Sequence, residues 1–186
     1  IFILILISIL LYFNFSLLYH LIAYIFLNLL YNFILKKIAV VDLLILCIGY
    51  IIRLDSGSHS INVESSFLMI STIYSLVFFI LSLKRMGEFK LGTKYRLSLN
   101  FYSKNLLNFL VLSSALLFLI FFLFYAFSFN NYLIPSFPII AFLLYRYFKI
   151  ANSKNEAEFP IDLVIKDKIL LLSSFFFLIY LLILYY

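Results

Sequence analysis

The sequence predicts an all-α protein, a polytopic membrane helical bundle of about seven transmembrane helices. The first observation is composition: 66% of the 186 residues are hydrophobic and only 12% are charged. A soluble domain is usually about half apolar and about a quarter charged, so a water-soluble core cannot hide this much apolar surface. The second is that apolar residues occur in runs near the roughly 20 residues that cross a bilayer. The third is that basic residues gather in alternate connections between these runs.

The predicted helices follow one another along a single domain, residues 1–186. Residues 1–35 carry no formal charge and are too long for one crossing, so we place a turn at residues 14–16, between an incomplete first span and a second at about 16–35. Because the chain begins at Ile1 within an apolar run, we expect an amino-terminally truncated fragment. The other spans are predicted at about 40–54, 65–83, 106–128, 132–149 and 169–186.

The distribution of basic residues predicts the orientation of the bundle. Basic side chains lie between spans two and three, between four and five, and around the connection of six and seven, whereas the alternate connections hold little besides Arg53. The three basic groups are Lys36 and Lys37; Lys84, Arg85, Lys90, Lys94, Arg96 and Lys104; and Arg146, Lys149, Lys154, Lys166 and Lys168. Because cytoplasmic loops are enriched in Lys and Arg, these connections are predicted to face the cytoplasm of a cell (inner or plasma) membrane. The net charge of +6 then needs no nucleic acid to explain it.

Two charges, Asp42 and Arg53, fall within the third predicted span. Asp42 suits the amino terminus of a helix, where the dipole favours a carboxylate. Alternatively, Asp42 could bind a phosphate and its metal ion together with Lys36 and Lys37. Arg53 lies three turns further on the same face, about 16 Å from Asp42 along the axis, too far for a direct ion pair. We expect Arg53 to reach the far interface, pair with Asp55, or face a polar cavity.

The stretch "SLKRMGEFKLGTKYR" carries the strongest indication of a site. Lys84 and Glu88 are four residues apart, and Arg85 and Glu88 are three apart, which allows surface ion pairs on a helix. The same residues are also the parts of a pyrophosphate site, because cations neutralise phosphates and a carboxylate can hold magnesium. Positive-inside orientation explains the cations but does not require Glu88. We therefore favour the functional interpretation.

The remaining polar residues have structural interpretations. The segment "EAEFPIDLVIKDK" mixes carboxylates with lysines and is predicted to be a solvated surface; its acidic residues are Glu156, Glu158, Asp162 and Asp167. His20 and His59 are isolated in the sequence and are expected to lack the partners of a metal site. The single Cys47 excludes an internal disulfide and is expected to be a small buried side chain. The many Phe and Tyr residues suggest a compositional bias, so we discount them as a binding signal.

Four stretches, in order, resemble one known family. "YNFILKKIAVVDLLILCIGYIIRLDSG", "FFILSLKRMGEF", "YRLSLNFYSKNLL" and "LLYRYFKI" are similar to motifs of the UbiA-type intramembrane transferases, in particular the branch that transfers phosphoribosyl onto decaprenyl phosphate. The resemblance implies a nine-helix fold, of which these spans would be helices three to nine, around a cavity open to the cytoplasm. The family's main aspartate-rich motif precedes its third helix and is absent here, so we expect this chain to be inactive alone.

The resemblance also implies substrates and roles. The donor would be phosphoribosyl pyrophosphate, held through Mg²⁺. The acceptor would be a polyprenyl phosphate among the membrane lipids, and the transfer would release pyrophosphate. The implied substrate-binding residues are Lys84, Arg85 and Glu88 at the donor headgroup, with Glu88 also a metal ligand; Lys36, Lys37 and Arg96 at the lipid phosphate; and Asp42, Arg53 and Tyr102 around the cavity.

Two alternatives stay open. One is a UbiA-type prenyltransferase with a prenyl diphosphate donor and an aromatic or haem acceptor. That activity would use a second aspartate motif after the sixth helix, and residues 84–105 contain no aspartate. The other is a non-enzymatic transporter or scaffold, which would account for the spans but not for the order of the family-like motifs.

Overall fold

The computed structural model describes residues 15–92, 97–153 and 160–185, and over these ranges the chain forms helices and turns, without strands. The predicted all-α class is therefore confirmed. The α-helices of the described ranges are α1 (Phe15–Phe33), α2 (Val41–Ser60), α3 (Phe67–Leu91), α4 (Lys104–Phe129), α5 (Phe137–Ser153), α6 (Pro160–Lys166) and α7 (Lys168–Tyr185). Short 3-10 turns occupy Leu35–Lys37, Leu97–Phe101 and Asn131–Ser136.

Within the described residues, three segments are long and apolar enough to cross a membrane: α3, α4, and Asn131–Asn152, which includes most of α5. Helices α1 and α7 contain shorter apolar stretches, Leu17–Phe33 and Lys168–Leu184. Large apolar side chains point outward from these helices, among them Phe26, Phe109 and Phe175. The first predicted span lies outside the described residues, so the total of seven spans stays a prediction.

Two helices run further than their apolar stretches. Helix α2 continues to Ser60 instead of ending near residue 54, and α3 continues to Leu91 instead of ending near residue 83. Hydropathy reports where side chains become polar, whereas a helix ends where its backbone hydrogen bonds stop. The extensions place Asp55 and His59 on α2, and Lys84 and Glu88 on α3, in fixed helical positions. The segment predicted as a solvated surface also contains a short helix, α6.

The helices pack in an order that brings the ends of α2, α3 and α4 together. Helix α1 packs on α2, α2 on α3, and α3 along α4. Phe79 and Leu83 of α3 are buried with Val111 of α4 and Tyr147 of α5. A second apolar cluster joins Leu43 at the start of α2 to residues of the Leu97–Phe101 turn and α4. This second cluster also contains Tyr102, which lies just before α4.

Candidate functional site

Asp42 is the centre of a buried polar network. It lies in the first turn of α2 and is fully buried. Its Oδ2 accepts a hydrogen bond from Arg85 Nε at 2.8 Å and a longer one from Ser98 Oγ at 3.4 Å, and its Oδ1 accepts from the Tyr102 hydroxyl at 2.7 Å. Burying a charge is costly unless it is paired and hydrogen-bonded, and Asp42 meets both conditions. The network ties α2, α3 and the segment before α4 to one point.

Tyr102 also holds the turn that begins α2. Val40 has φ +67°, an unfavourable region for a β-branched residue. Its backbone N–H donates to the Tyr102 hydroxyl at 2.7 Å. Burial, and then the bond to Asp42, raise the pKa of Tyr102 above its ordinary value. The hydroxyl therefore stays protonated, accepting from Val40 and donating to Asp42, and it fixes the position of that carboxylate.

Arg85 connects this network to Glu88. Its Nη1 donates to Glu88 Oε2 at 2.5 Å, while its Nε contacts Asp42. The Arg85 side chain is only 3% exposed and that of Glu88 11%. The pair predicted three residues apart does form, but it is buried, so it is not a solvated surface pair. With two carboxylates on one guanidinium, the orientation of Arg85 is fixed.

A polar cavity of about 310 Å³ lies between α1, α2 and α3. Among the described residues, four charged side chains line it: the cations Arg53, Lys84 and Arg85 and the carboxylate Glu88. The uncharged lining residues are Tyr24, Leu27, Asn28, Tyr31, Ile45, Leu46, Gly49, Tyr50 and Leu81. Because Arg85 is already paired with Asp42 and Glu88, Arg53 and Lys84 supply the excess positive charge of this partly enclosed space. That excess favours an anionic ligand, because the interaction between charges strengthens as water is excluded.

Arg53 lies at the wall of this cavity. Of the three positions expected for it, the structure shows the one that faces a polar cavity. Its guanidinium donates to the Tyr24 hydroxyl and lies 4.7 Å from the centre of the Tyr24 ring and 5.0 Å from that of Tyr50. Asp55, the alternative partner, instead contacts His20. The two tyrosine faces hold the Arg53 cation by cation–π contact and leave it lining the cavity.

A second, mostly apolar cavity of about 580 Å³ adjoins the polar one. It is lined by side chains of α3, α5 and α7, including Phe79, Leu143 and Leu170. Tyr50, Leu81 and Lys84 line both cavities. Lys84 thus lies where the polar and apolar spaces meet, and among the described residues no carboxylate forms an ion pair with its ammonium group.

The other predicted site residues have different positions. Asp42 and Tyr102 are not among the residues that line the polar cavity, and Asp42 contacts its lining residue Arg85. Lys36 is half-buried and Lys37 exposed in the Leu35–Lys37 turn, and neither lines the polar cavity. Arg96 lies outside the described residues.

Sequence reasoning missed the contribution of α1. Tyr24, Asn28 and Tyr31 line the polar cavity, yet the aromatic residues were discounted as compositional. Their spacing of four and three residues places them on one helix face. The asparagine on that face of an otherwise apolar helix could have indicated from sequence that α1 lines a polar space. A second prediction, that His20 and His59 lack metal-site partners, is wrong: Asp55 lies between them.

Comparison with known proteins adds no relative. No family model matches the chain, and no curated protein matches it. The resemblance to UbiA-type transferases therefore depends on the four short motifs alone.

Proposed function

We propose that this is a UbiA-type integral membrane transferase that moves a 5-phosphoribosyl group from phosphoribosyl pyrophosphate to a polyprenyl phosphate. The observation that carries the proposal is the meeting of a cation-rich cavity and an apolar cavity at Lys84. A ligand that fits both spaces has an anionic head and a hydrocarbon tail, as a polyprenyl phosphate does. The order of the family-like motifs supplies the donor and the reaction.

In this proposal the lipid phosphate is held at Lys84 and its tail begins in the apolar cavity beside Phe79 and Leu170. Arg53 and Arg85 face the diphosphate of the donor from the polar side. An oxygen of the lipid phosphate attacks the anomeric carbon, the bond from that carbon to the pyrophosphate oxygen breaks, and pyrophosphate leaves with the electron pair. Fixed cations stabilise the charge that develops on the leaving group. The Asp42–Arg85 ion pair keeps one of those cations in place beforehand.

The described residues alone do not fit the magnesium ion that the resemblance implies. Mg²⁺ prefers about six oxygen ligands and usually takes one or two carboxylates with substrate phosphates. Glu88 is the one carboxylate among the described residues lining the polar cavity, and Arg85 already occupies it. We propose that in this part of the chain the cations carry the interaction with phosphate.

The proposed setting is the cell membrane, with the polar cavity open to the cytoplasm. The basic residues before α2 and at the end of α3 support this orientation. A prenyltransferase that uses a prenyl diphosphate is the second candidate, because that donor also joins an anionic head to an apolar tail and would fit the same two cavities.

The test is a transfer assay in membranes that contain the full-length protein, with any segment that precedes residue 1, because this chain is expected to be inactive without the aspartate-rich motif. Ribose-labelled phosphoribosyl pyrophosphate, decaprenyl phosphate and Mg²⁺ are supplied, and label in the lipid extract is measured. A parallel reaction supplies a labelled prenyl diphosphate with an aromatic acceptor. We expect label in the lipid phosphate from the first reaction only. Label from the second alone would replace the proposal with prenyl transfer, and label from neither would favour a transporter or scaffold.

Two lysines of α3 provide matched variants for this assay. Lys84→Ala removes the cation shared by both cavities and is expected to lower lipid labelling about tenfold to a hundredfold, the range of one lost charged hydrogen bond. Lys90→Ala is the control, because Lys90 contacts Asn152 at the same helix end and does not line the polar cavity. Equal labelling by both variants would remove Lys84 from the site.

A further inference from the structure

The far end of α2 carries a second cluster of functional groups, separate from the polar cavity. His59 is in the last turn of α2, whereas Asp42 is in the first, and a helix of this length spans about 30 Å. His20 reaches the cluster from α1, and Asp55 lies one turn before His59 on the same face of α2. The three side chains therefore come from two helices and meet at one place.

The geometry is that of a metal site. His20 Nε2 is 2.9 Å from Asp55 Oδ2, His59 Nε2 is 3.9 Å from the same oxygen, and one ligand atom of each residue lies within 4.8 Å of the others. Ligands bound to zinc at about 2.0–2.2 Å in a tetrahedron stand roughly 3.5 Å apart. Small side-chain rotations therefore bring these three atoms to zinc distances.

The surroundings also suit a metal ion. The His20 side chain is 11% exposed, so one ligand is held within the protein, while His59 is 54% exposed and leaves the site open to solvent. An open polar cavity of about 500 Å³, lined by Asp55, His59, Glu64 and Ser65 among others, adjoins the cluster. The Ser65 hydroxyl donates to Asp55 Oδ1 at 3.1 Å and orients the carboxylate. Such outer contacts fix the first ligands of metal sites.

We propose that His20, Asp55 and His59 bind a zinc ion that links α1 to α2. Two imidazoles and a carboxylate are the ligand set of three-residue zinc sites, in which water or an added ligand takes the fourth position. The site is independent of the transferase proposal, since none of its three ligands lines the polar cavity. Bound zinc joins the two helices that also hold Tyr24 and Arg53.

The experiment titrates the metal-stripped protein, purified in detergent through a tag without histidine, with Zn²⁺ in competition with a coloured chelator. We expect one Zn²⁺ per chain. Cobalt replaces zinc as a spectroscopic probe, and the intense visible bands of tetrahedral Co²⁺ are expected. Absence of saturable Zn²⁺ binding by this unmodified protein overturns the proposal, so the result does not depend on whether any variant folds.

The variants identify the ligands. The chain has only two histidines, so His20→Ala and His59→Ala each remove half of the imidazoles and are expected to weaken Zn²⁺ binding at least about tenfold. Asp167→Asn is the control, because Asp167 contacts Arg146 of α5 and lines neither the cluster nor its cavity; it is expected to bind Zn²⁺ as the unmodified protein does. Unchanged affinity in both histidine variants, or a loss only in Asp167→Asn, contradicts the assignment.

Discussion

At the scale of single residues, the polar cavity depends on a carboxylate that does not line it. Asp42 fixes Arg85 from behind, and Tyr102 fixes Asp42. A buried ion pair adds little net stability when formed, but removing one partner is costly because the other charge stays buried. Asp42 therefore serves function by fixing the orientation of Arg85. Replacing Asp42 lowers the stability of the fold, because Arg85 then stays buried without this partner.

Asp42→Ala is expected to destabilise the fold by about 3–5 kcal/mol, the usual effect of breaking a buried pair. Tyr102→Phe keeps the ring but removes the hydroxyl bonded to both Asp42 and Val40, and about 1–3 kcal/mol is expected. The measurement is unfolding in mixed micelles with increasing denaturing detergent. Tyr145→Phe, at an exposed tyrosine of α5, serves as the control. An Asp42→Ala protein as stable as this control would show that the network carries no stability.

At the scale of secondary-structure elements, one residue joins the start of α7 to α5. Asp167 precedes α7, and its Oδ1 accepts from the Leu170 N–H at 2.8 Å, which is an N-cap. Its Oδ2 accepts from Arg146 Nη2 of α5 at 2.8 Å. A carboxylate expected to be a solvated surface charge thus both begins a helix and positions it.

This junction has a predictable pH dependence. The hydrogen bond from Arg146 lowers the pKa of Asp167 below its ordinary value, near 3.9. The stabilisation is therefore fully present above about pH 4 and is lost as the pH falls through the lowered pKa. Asp167→Asn keeps the cap but loses the ion pair, worth at most about 1 kcal/mol at this partly exposed site.

The check is thermal unfolding of the unmodified protein and Asp167→Asn at several pH values. We expect the unmodified protein to be slightly more stable at neutral pH and the difference to vanish once the pH falls below the lowered pKa of Asp167. Asp167→Ala, which also loses the cap, is expected to be less stable than Asp167→Asn by about 1 kcal/mol at every pH. A difference that grows on acidification would contradict the assigned ion pair.

Hydropathy predicted the existence and order of α1 to α5 and of α7, because each needs an apolar face whatever its neighbours are. It did not predict α6, which lies in a segment of mixed charges. It placed the ends of α2 and α3 too early. The polar residues there form hydrogen bonds and ion pairs with side chains of other helices, and the sequence of one segment does not show these partners. Ser66 and Ser103, by contrast, are local N-caps readable from sequence, and each accepts a hydrogen bond three residues ahead.

At the scale of the whole molecule, α2 presents different chemistry at its two ends: an arginine–carboxylate network at Asp42 and a histidine–carboxylate cluster at His59. Sequence reasoning singled out four charged residues that line the polar cavity, because charges in apolar runs stand out: Arg53, Lys84, Arg85 and Glu88. It did not find the partners that α1 supplies, or the histidine cluster. Those depend on how α1 lies against α2, and contacts between residues distant in the sequence have no local signature.

The final prediction concerns how α2 crosses the membrane. Its Asp42, Arg53 and Asp55 make it less apolar than α3 or α4, but each of the three contacts a neighbouring side chain, and paired polar groups are tolerated inside a helical bundle. We therefore expect α2 to span the bilayer, with the basic Leu35–Lys37 turn in the cytoplasm and the connection after Ser60 outside.

Single-cysteine labelling tests this topology. Cys47 is the only cysteine and is buried, so Cys47→Ala gives a background for Lys37→Cys and Glu64→Cys, both at exposed positions. In intact cells a membrane-impermeant maleimide is expected to label Glu64→Cys alone, and in inverted vesicles Lys37→Cys alone. Labelling of both from one side would mean that α2 does not cross, and the reversed pattern would place the polar cavity on the outer face. The reversed pattern would deprive the proposed phosphoribosyl donor, supplied from the cytoplasm, of its route to Lys84.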